Sequence, residues 1–337
     1  MSKMKTLVTG APGWLGDTLV QALTQGAEGY EVKKRDVRCF AQPGIDTTKL
    51  KKLGVEVVEG DIRDVAALEK AADGVETVFH CAGLIHPKKI KELFEINSKG
   101  TRNILEAAAR KNVRRFVHVS SNSPAGTNKR RDVLMKESDP PRPYMAYGRS
   151  KYLAEQAVKE YQAAGKLEAV IVRPCWFYGP NQPARQSRFF NMIKAGNPIV
   201  FGNGKNLRSM SYVDNLVQGL VLAEKTKEAN GQTYWIADER PYETIEIYRT
   251  IAELLEVKDF RPRHIPGFAS EIAMMVDAML QSVGMYWTEV HVAGEMNKNI
   301  ACSVEKAKKE LGYAPKIDLR EGMRRSIEWC RQNGMDV

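Results

Sequence analysis

Cysteine is scarce and scattered: Cys39, Cys81, Cys175, Cys302 and Cys330 are the only five, and no two form a C-x-x-C pair. That spacing excludes a disulfide scaffold and a dithiol redox motif. Three of them fall in apolar runs that read as strands, so reduced core thiols in a cytoplasmic protein are expected. Long hydrophobic runs are missing as well. No stretch approaches the ~18 apolar residues of a membrane span, and a first strand expected at Lys5–Thr9 starts so near Met1 that no room is left for a signal peptide. No internal repeat or low-complexity tract is visible. Charge of one sign is not concentrated anywhere: 51 Lys+Arg against 41 Asp+Glu give a net charge of +10, but the basic residues run along the whole chain. A nucleic-acid partner is therefore not expected, and a basic surface suits an anionic cofactor equally well. No metal site is expected either. What remains, 337 residues with 43% hydrophobic and 27% charged, is the composition of a globular protein able to bury a sizeable core.

Short β-branched runs alternate with helical patterns through the first half. Lys5–Thr9, Val37–Ala41, Val55–Glu59, Thr77–Cys81, Phe116–Ser120 and Ala169–Arg173 are expected strands, apolar on both faces as parallel strands are. Leu15–Gln25, Val65–Ala72, Phe94–Lys111 and Tyr147–Ala164 are expected helices. This rhythm predicts an α/β fold with a doubly wound, Rossmann-type parallel sheet. Any ligand should lie beyond the strands' carboxyl ends. After Arg173 the chain turns Pro- and Gly-rich. We therefore expect a dinucleotide-binding domain over residues 1–175, with 212–237 returning to it as a helix and a strand. A smaller C-terminal substrate-binding annex should take 176–211 and 238–337.

Directly after the first strand, Gly10-Ala11-Pro12-Gly13-Trp14-Leu15-Gly16 opens a helix. A glycine-rich strand-turn-helix lets backbone N–H groups and the helix dipole meet a pyrophosphate. Gly10, Gly13, Trp14, Leu15 and Gly16 are thus expected at a cofactor. The second strand should end in an acid for an NAD ribose or a base for an NADP phosphate, yet Ala41-Gln42 stand there and Asp36 lies at the strand's other end. Gln42 is expected at the cofactor, and NAD versus NADP stays open. In Gly60-Asp61-Ile62, Asp61 is placed to accept from an adenine amino group or, alternatively, to cap the following helix.

Tyr147 and Lys151 stand four residues apart on one expected helix face. A nearby ammonium favours phenolate, so this pair can exchange a proton with an alcohol or a carbonyl, and the lysine can also hold a ribose. Tyr30 and Lys34 share the spacing but precede the second strand, away from the expected crevice. Ser120 and Ser121 close a strand on the ligand side, where one hydroxyl can orient a substrate oxygen or simply cap a turn.

Together with Phe79-His80-Cys81-Ala82-Gly83, Asn97-Ser98-Lys99-Gly100-Thr101, Arg173-Pro174, Tyr178-Gly179-Pro180 and Val213-Asp214-Asn215, these motifs, in this order and over nearly the whole chain, resemble the extended short-chain dehydrogenase/reductase family. That family includes nucleotide-sugar epimerases and 3β-hydroxysteroid dehydrogenases. The resemblance implies Ser121 as catalytic serine, Tyr147 as acid/base, Lys151 as its partner and Asn97 as a water-relaying fourth member. It also implies Ala82 and Gly83 beside the nicotinamide, Ile62 with Asp61 near the adenine, Pro174 near the carboxamide, and a homodimer through Phe94–Lys111 and Tyr147–Ala164.

Within that family three functions compete. Hydride transfer at a secondary alcohol or ketone of a largely apolar substrate, 3β-hydroxysteroid dehydrogenase-like, is favoured by Val213-Asp214-Asn215-Leu216-Val217. The Met-rich stretch Ile265–Met285 also favours it if it walls an adaptable pocket rather than merely covering the core. A nucleotide-sugar epimerase or dehydratase with retained NAD is favoured by Gly202–Arg208, which resembles a loop whose arginine grips a diphosphate; Arg208 would then bind substrate. Against it, the usual Arg-x-Gly-Asp motif is missing, with Ala293-Gly294-Glu295-Met296 roughly in its place, and losing a bidentate phosphate ligand is a sizeable deficit. A non-catalytic dinucleotide sensor is disfavoured by the intact Ser121, Tyr147 and Lys151. The balance leans to the first.

Overall fold

The computed structural model describes residues 6–27 and 30–337, the Arg185 side chain excepted. Lys5, and with it the start of the first expected strand, lies outside the described residues. Seven parallel strands form the central sheet. Six are β1 (Thr6–Thr9), β2 (Val37–Ala41), β3 (Glu56–Glu59), β4 (Thr77–His80), β5 (Arg115–Val119) and β6 (Glu168–Pro174); the seventh, Thr233–Ile236, pairs with β6 at the sheet edge. The spatial order runs Thr233–Ile236, β6, β5, β4, β1, β2, β3. The chain therefore winds one way from β1 to β3 and then restarts at β4 on the other side of β1, so β1 and β4 flank the switch point where such sheets bind ligands.

Each expected strand is present, with described ends within one residue of those read from the sequence. Alternation sorts the side chains. Val8, Phe79, Val117 and Val170 meet Leu19, Leu23, Leu216 and Leu220 of the Trp14–Gln25 and Val213–Lys225 helices. Leu7, Val78, Phe116 and Ile171 meet Leu68, Ile104, Leu105 and Val158 on the opposite face. A third apolar cluster joins Tyr178, Phe190, Tyr212, Tyr248, Met323 and Ile327.

Three expectations need correction. Of the three cysteines expected in strands only Cys39 lies inside one, Cys81 following β4; none of the five forms a disulfide. Phe94–Lys111 is not one regular helix: Phe94–Lys99 is a π-helical stretch leading into the Gly100–Arg110 α-helix. The Met-rich helix, Phe268–Ser282, does not turn its apolar side inward. Its buried residues are Ser270 and Asp277, whereas Met275 and Met279 are 68% and 71% exposed. Positions 270, 277 and 281 share one helical face, and that polar face is the one drawn against the protein.

Candidate active site

The cofactor end is made mostly of backbone. Gly10 has φ +86°, and a Cβ there would lie 2.6 Å from the Ala82 nitrogen after β4. A Cβ on Gly13 or Gly16 would lie 2.6 or 2.4 Å from the Gly10 carbonyl oxygen. The turn is folded too tightly onto itself for side chains. Gly13 then starts the Trp14–Gln25 helix with no side-chain cap, leaving its first N–H groups directed at whatever occupies the crevice. A cavity of about 440 Å³ opens there, lined among others by Gly10, Gln42, Asp61, Ile62, Ala82 and Gly83. Its volume, glycine turn and uncapped helix fit a dinucleotide. Leu15 is buried in the core, and the Trp14 indole turns away: its Nε1 donates to the Pro180 carbonyl at 2.6 Å and its ring packs on Phe177.

Asp61 is not a helix cap; Asp64 is, accepting from the Ala66 and Ala67 nitrogens. Asp61 is instead gripped by the Arg63 guanidinium at 2.9 and 2.5 Å, and that bond holds its carboxyl below the usual range. Arg63 also lines the cavity. Sequence reasoning missed it, although a base two residues past Asp61 was a readable signal.

Around Tyr147 and Lys151 the strand alternation separates the two serines. The Ser120 hydroxyl points into the core and donates to Glu155 Oε1 at 2.6 Å, within a buried Arg173–Glu155 ion pair. Ser121 faces the other way: its Oγ lies 3.3 Å from Ser123 Oγ, and its hydroxyl acts to lower the pKa of the Tyr147 phenol. Tyr147 and Lys151 lie on the Met145–Ala163 helix, entered through Met145 in the left-handed region at φ +53°. A non-glycine residue there stores strain next to a functional side chain. Lys151 is buried; its Nζ donates to the Val119 carbonyl at 2.8 Å, and burial lowers its pKa to about 8. The phenol does not have the depressed pKa expected from a neighbouring ammonium. Burial pushes it up to about 12, the Ser121 hydroxyl counters that, and the Glu295 carboxylate adds to the rise.

Asn97 sits in the π-helical stretch, where such irregularities often mark function. Its Oδ1 accepts from the Leu84 nitrogen at 2.7 Å while Nδ2 donates to the Leu84 carbonyl and to Ser150 Oγ. A Cβ on Gly83 would lie 3.5 Å from Asn97 Oδ1 and 3.9 Å from Lys151 Nζ, so Gly83, Asn97 and Lys151 converge. Pro174 is buried at the end of β6, opposite Ile236. Tyr30 is far from this: its hydroxyl donates to Asn215.

The wall facing Tyr147 is polar, and sequence reasoning did not find it. Tyr144 donates to the Glu295 carboxylate; burial, and then that carboxylate, holds the Tyr144 phenol far above its usual pKa. His291 Nδ1 bonds Asp277 Oδ2 at 2.7 Å, and its Nε2 is 3.8 Å from Glu295. Burial would lower the imidazole, but the bond to Asp277 and the charge of Glu295 carry it above its usual value. Gln281 spans Asp277 and the Ala146 nitrogen, beside Tyr147. The one signal for this wall was Asp277, an acid set among methionines and other apolar residues. Arg208 is 7% exposed, and its guanidinium donates to the Glu295 backbone carbonyl.

A glycine-turn crevice at the switch point of a doubly wound sheet, with a Ser-Tyr-Lys-Asn group beside it, defines an NAD-dependent enzyme of the extended short-chain dehydrogenase/reductase type. Residues 6–237 match the NAD dependent epimerase/dehydratase family, and the chain belongs to that family. It is 44% identical to the uncharacterized protein y4nL of Sinorhizobium fredii over 97% of this chain and 95% of that one. It is 30% identical to human Short-chain dehydrogenase/reductase family 42E member 1 over 98% of this chain and 88% of that one. Among solved structures, gox2253 superposes with a TM-score of 0.81 at 25% identity, covering 99% of this chain and all of that one. A dTDP-glucose 4,6-dehydratase from Streptomyces venezuelae shares the fold, with a TM-score of 0.77 at 24% identity over 98% of both chains.

Proposed function

We propose that this enzyme interconverts a secondary alcohol and its ketone, with net redox change, on a substrate that carries no diphosphate, as the hydroxysteroid-dehydrogenase-like branch does. The observation that carries this reading is Arg208: buried and committed to the Glu295 carbonyl, it ties the substrate wall together rather than offering a free guanidinium. The Met-rich helix no longer supports the apolar-substrate argument, since its methionines face outward. The substrate is instead expected to present a hydroxyl or a similar polar group to the wall of Tyr144 and Glu295.

Bound NAD would supply the hydride acceptor or donor; the glycine turn, Gly83 and Lys151 are the groups that would hold it. Tyr147 carries its proton at neutral pH because burial raises it, so its Oη can donate to a ketone oxygen that the Ser121 hydroxyl also orients. In the reverse direction the phenol must be ionised, a state that the Ser121 hydroxyl supports against burial.

The second reading, an epimerase or dehydratase cycling a retained NAD, is favoured by the family match. It also draws on the 25% identity to MoeE5, whose structure is in complex with UDP-glucuronic acid and NAD. There, Arg208 must exchange the Glu295 carbonyl for phosphate. Mass spectrometry of the denatured protein separates the two: NAD that copurifies favours cycling, and its absence together with ketone-dependent NADH or NADPH consumption favours net redox. Titration with UDP-sugars adds a second arm. Saturable binding lost in Arg208→Ala overturns the proposal; no binding by either protein supports it.

A further inference from the structure

The Phe268–Ser282 helix is built inside out. Phe268, Ile272, Met275, Met279 and Val283 recur at intervals of three and four residues, which places them in one stripe, and all are exposed, Val283 to 72%. Trp287 continues the patch at 58% exposure. The polar side is fixed inward by bonds that set the helix rotation: Ser270 Oγ donates to the Gly294 carbonyl at 2.8 Å, Asp277 bonds His291, and Gln281 accepts from the Ala146 nitrogen at 2.9 Å. An exposed apolar stripe of this length marks an interaction site.

The charge around the stripe says what covers it. Within the helix, Asp277 is buried and Glu271 is neutralised by Lys298 at 2.5 Å. Beside its carboxyl end the Lys88–Lys91 segment packs through an Ile90 nitrogen to Gly284 carbonyl bond and a His86–Tyr286 contact. Lys88, Lys89 and Lys91 are exposed there, while the Glu92 carboxylate is turned onto the Lys88 and Lys89 backbone nitrogens. Arg263, also exposed, precedes the amino end. Glu289, exposed on the next helix, is the opposing charge. Among the described residues no helix is long and apolar enough to cross a membrane.

We propose that this stripe docks on the surface of an anionic lipid bilayer, with the apolar side chains and Trp287 entering the interface and the lysines meeting lipid phosphates. A second copy of the chain is the poorer occupant, because a two-fold contact would bring the same basic rim against itself. The docking face is independent of the substrate reading. Its inner side runs through Gln281 to the residue preceding Tyr147, so what covers the stripe also bears on the catalytic segment.

The test is co-sedimentation of the full chain with phosphatidylcholine vesicles containing about one-third phosphatidylglycerol, and with pure phosphatidylcholine. Wild type should bind the anionic vesicles, and less so as salt rises. A Met275→Glu/Met279→Glu variant and a Lys88→Glu/Lys89→Glu/Lys91→Glu variant should each bind roughly tenfold less or worse. The altered side chains are exposed, so circular dichroism should show unchanged folding. Absence of wild-type binding, or equal binding by the methionine variant, overturns the proposal. So does light scattering that shows a lipid-free dimer split by Met275→Glu/Met279→Glu without any vesicle binding.

Discussion

The two halves of the candidate active site are made of different material. At the cofactor end, position is set by backbone: three glycines, an uncapped helix and strand termini within 3 Å of where any side chain would intrude. At the substrate wall it is set by side chains brought from residues 144, 208, 277, 281, 291 and 295, which hold one another through hydrogen bonds. A backbone site tolerates no added atom but is indifferent to most chemistry nearby. A side-chain site tolerates substitution sterically and changes chemistry with each one.

The largest expected effect tests the first half of that contrast. Gly16→Ala places a Cβ 2.4 Å from the Gly10 carbonyl, and NAD affinity should fall by roughly 100-fold, about 3 kcal/mol. Glu295→Gln, at the other wall, should leave NAD affinity within about twofold, since a side chain outside the crevice contributes nothing to that binding. Calorimetric titration of both variants measures the difference, and equal losses would break the contrast.

Next in size is Tyr147→Phe, which removes the transferable proton and should lower turnover by roughly 10² or more while leaving cofactor binding intact. The neighbouring serines then sharpen the comparison. Ser121→Ala should cut turnover roughly ten- to a hundredfold at an unchanged melting temperature, since it removes a donor aimed at the reacting oxygen. Ser120→Ala takes a bond from the buried Glu155 carboxylate and should instead cost about 1–3 kcal/mol of stability. Kinetics and thermal melts on the same pair separate these outcomes.

The smallest effect has opposite sign at the two ends. Lys151 is depressed from 10.5 to about 8 by burial. The stability linked to it is present above pH 10.5 and lost as pH falls through about 8. His291 is raised above 6.5, against burial, by its bond to Asp277. Its contribution is complete below pH 6.5 and is lost as pH rises through the raised value. For Lys151 the linked contribution is at most about 3 kcal/mol; for His291 the expected result is the sign alone. Lys151→Met should flatten the alkaline limb of a pH–stability curve, and His291→Gln the limb just above 6.5. A curve unchanged by both substitutions would contradict these assignments.

The same contrast explains what could be read beforehand. Strands apolar on both faces and a glycine turn after the first of them are local patterns, so the sheet and crevice were legible within a residue. Ser120 and Ser121 were not distinguishable until Glu155, 35 residues on, showed which hydroxyl the core consumes. The phenol's ionisation was misread because a spacing of four residues says nothing about burial or about Glu295, far along the chain. The Met-rich helix misled because hydrophobicity was taken to point inward. Its orientation is decided by three polar bonds whose partners lie on other segments.

The π-helical stretch at Phe94–Lys99 has a consequence for how this chain tolerates length changes. A π turn accommodates one residue more than the α-helix around it, and each residue of an α-helix advances the side chains by about 100°. Deleting one residue between Phe94 and Asn97 would let the stretch relax to a regular helix. Everything before it, including the Leu84 backbone that Asn97 clasps and the Lys88–Lys91 segment, would then be swung around the axis. Helical content by circular dichroism should survive that deletion, and turnover should not: the extra residue acts as an angular spacer, setting direction rather than strength.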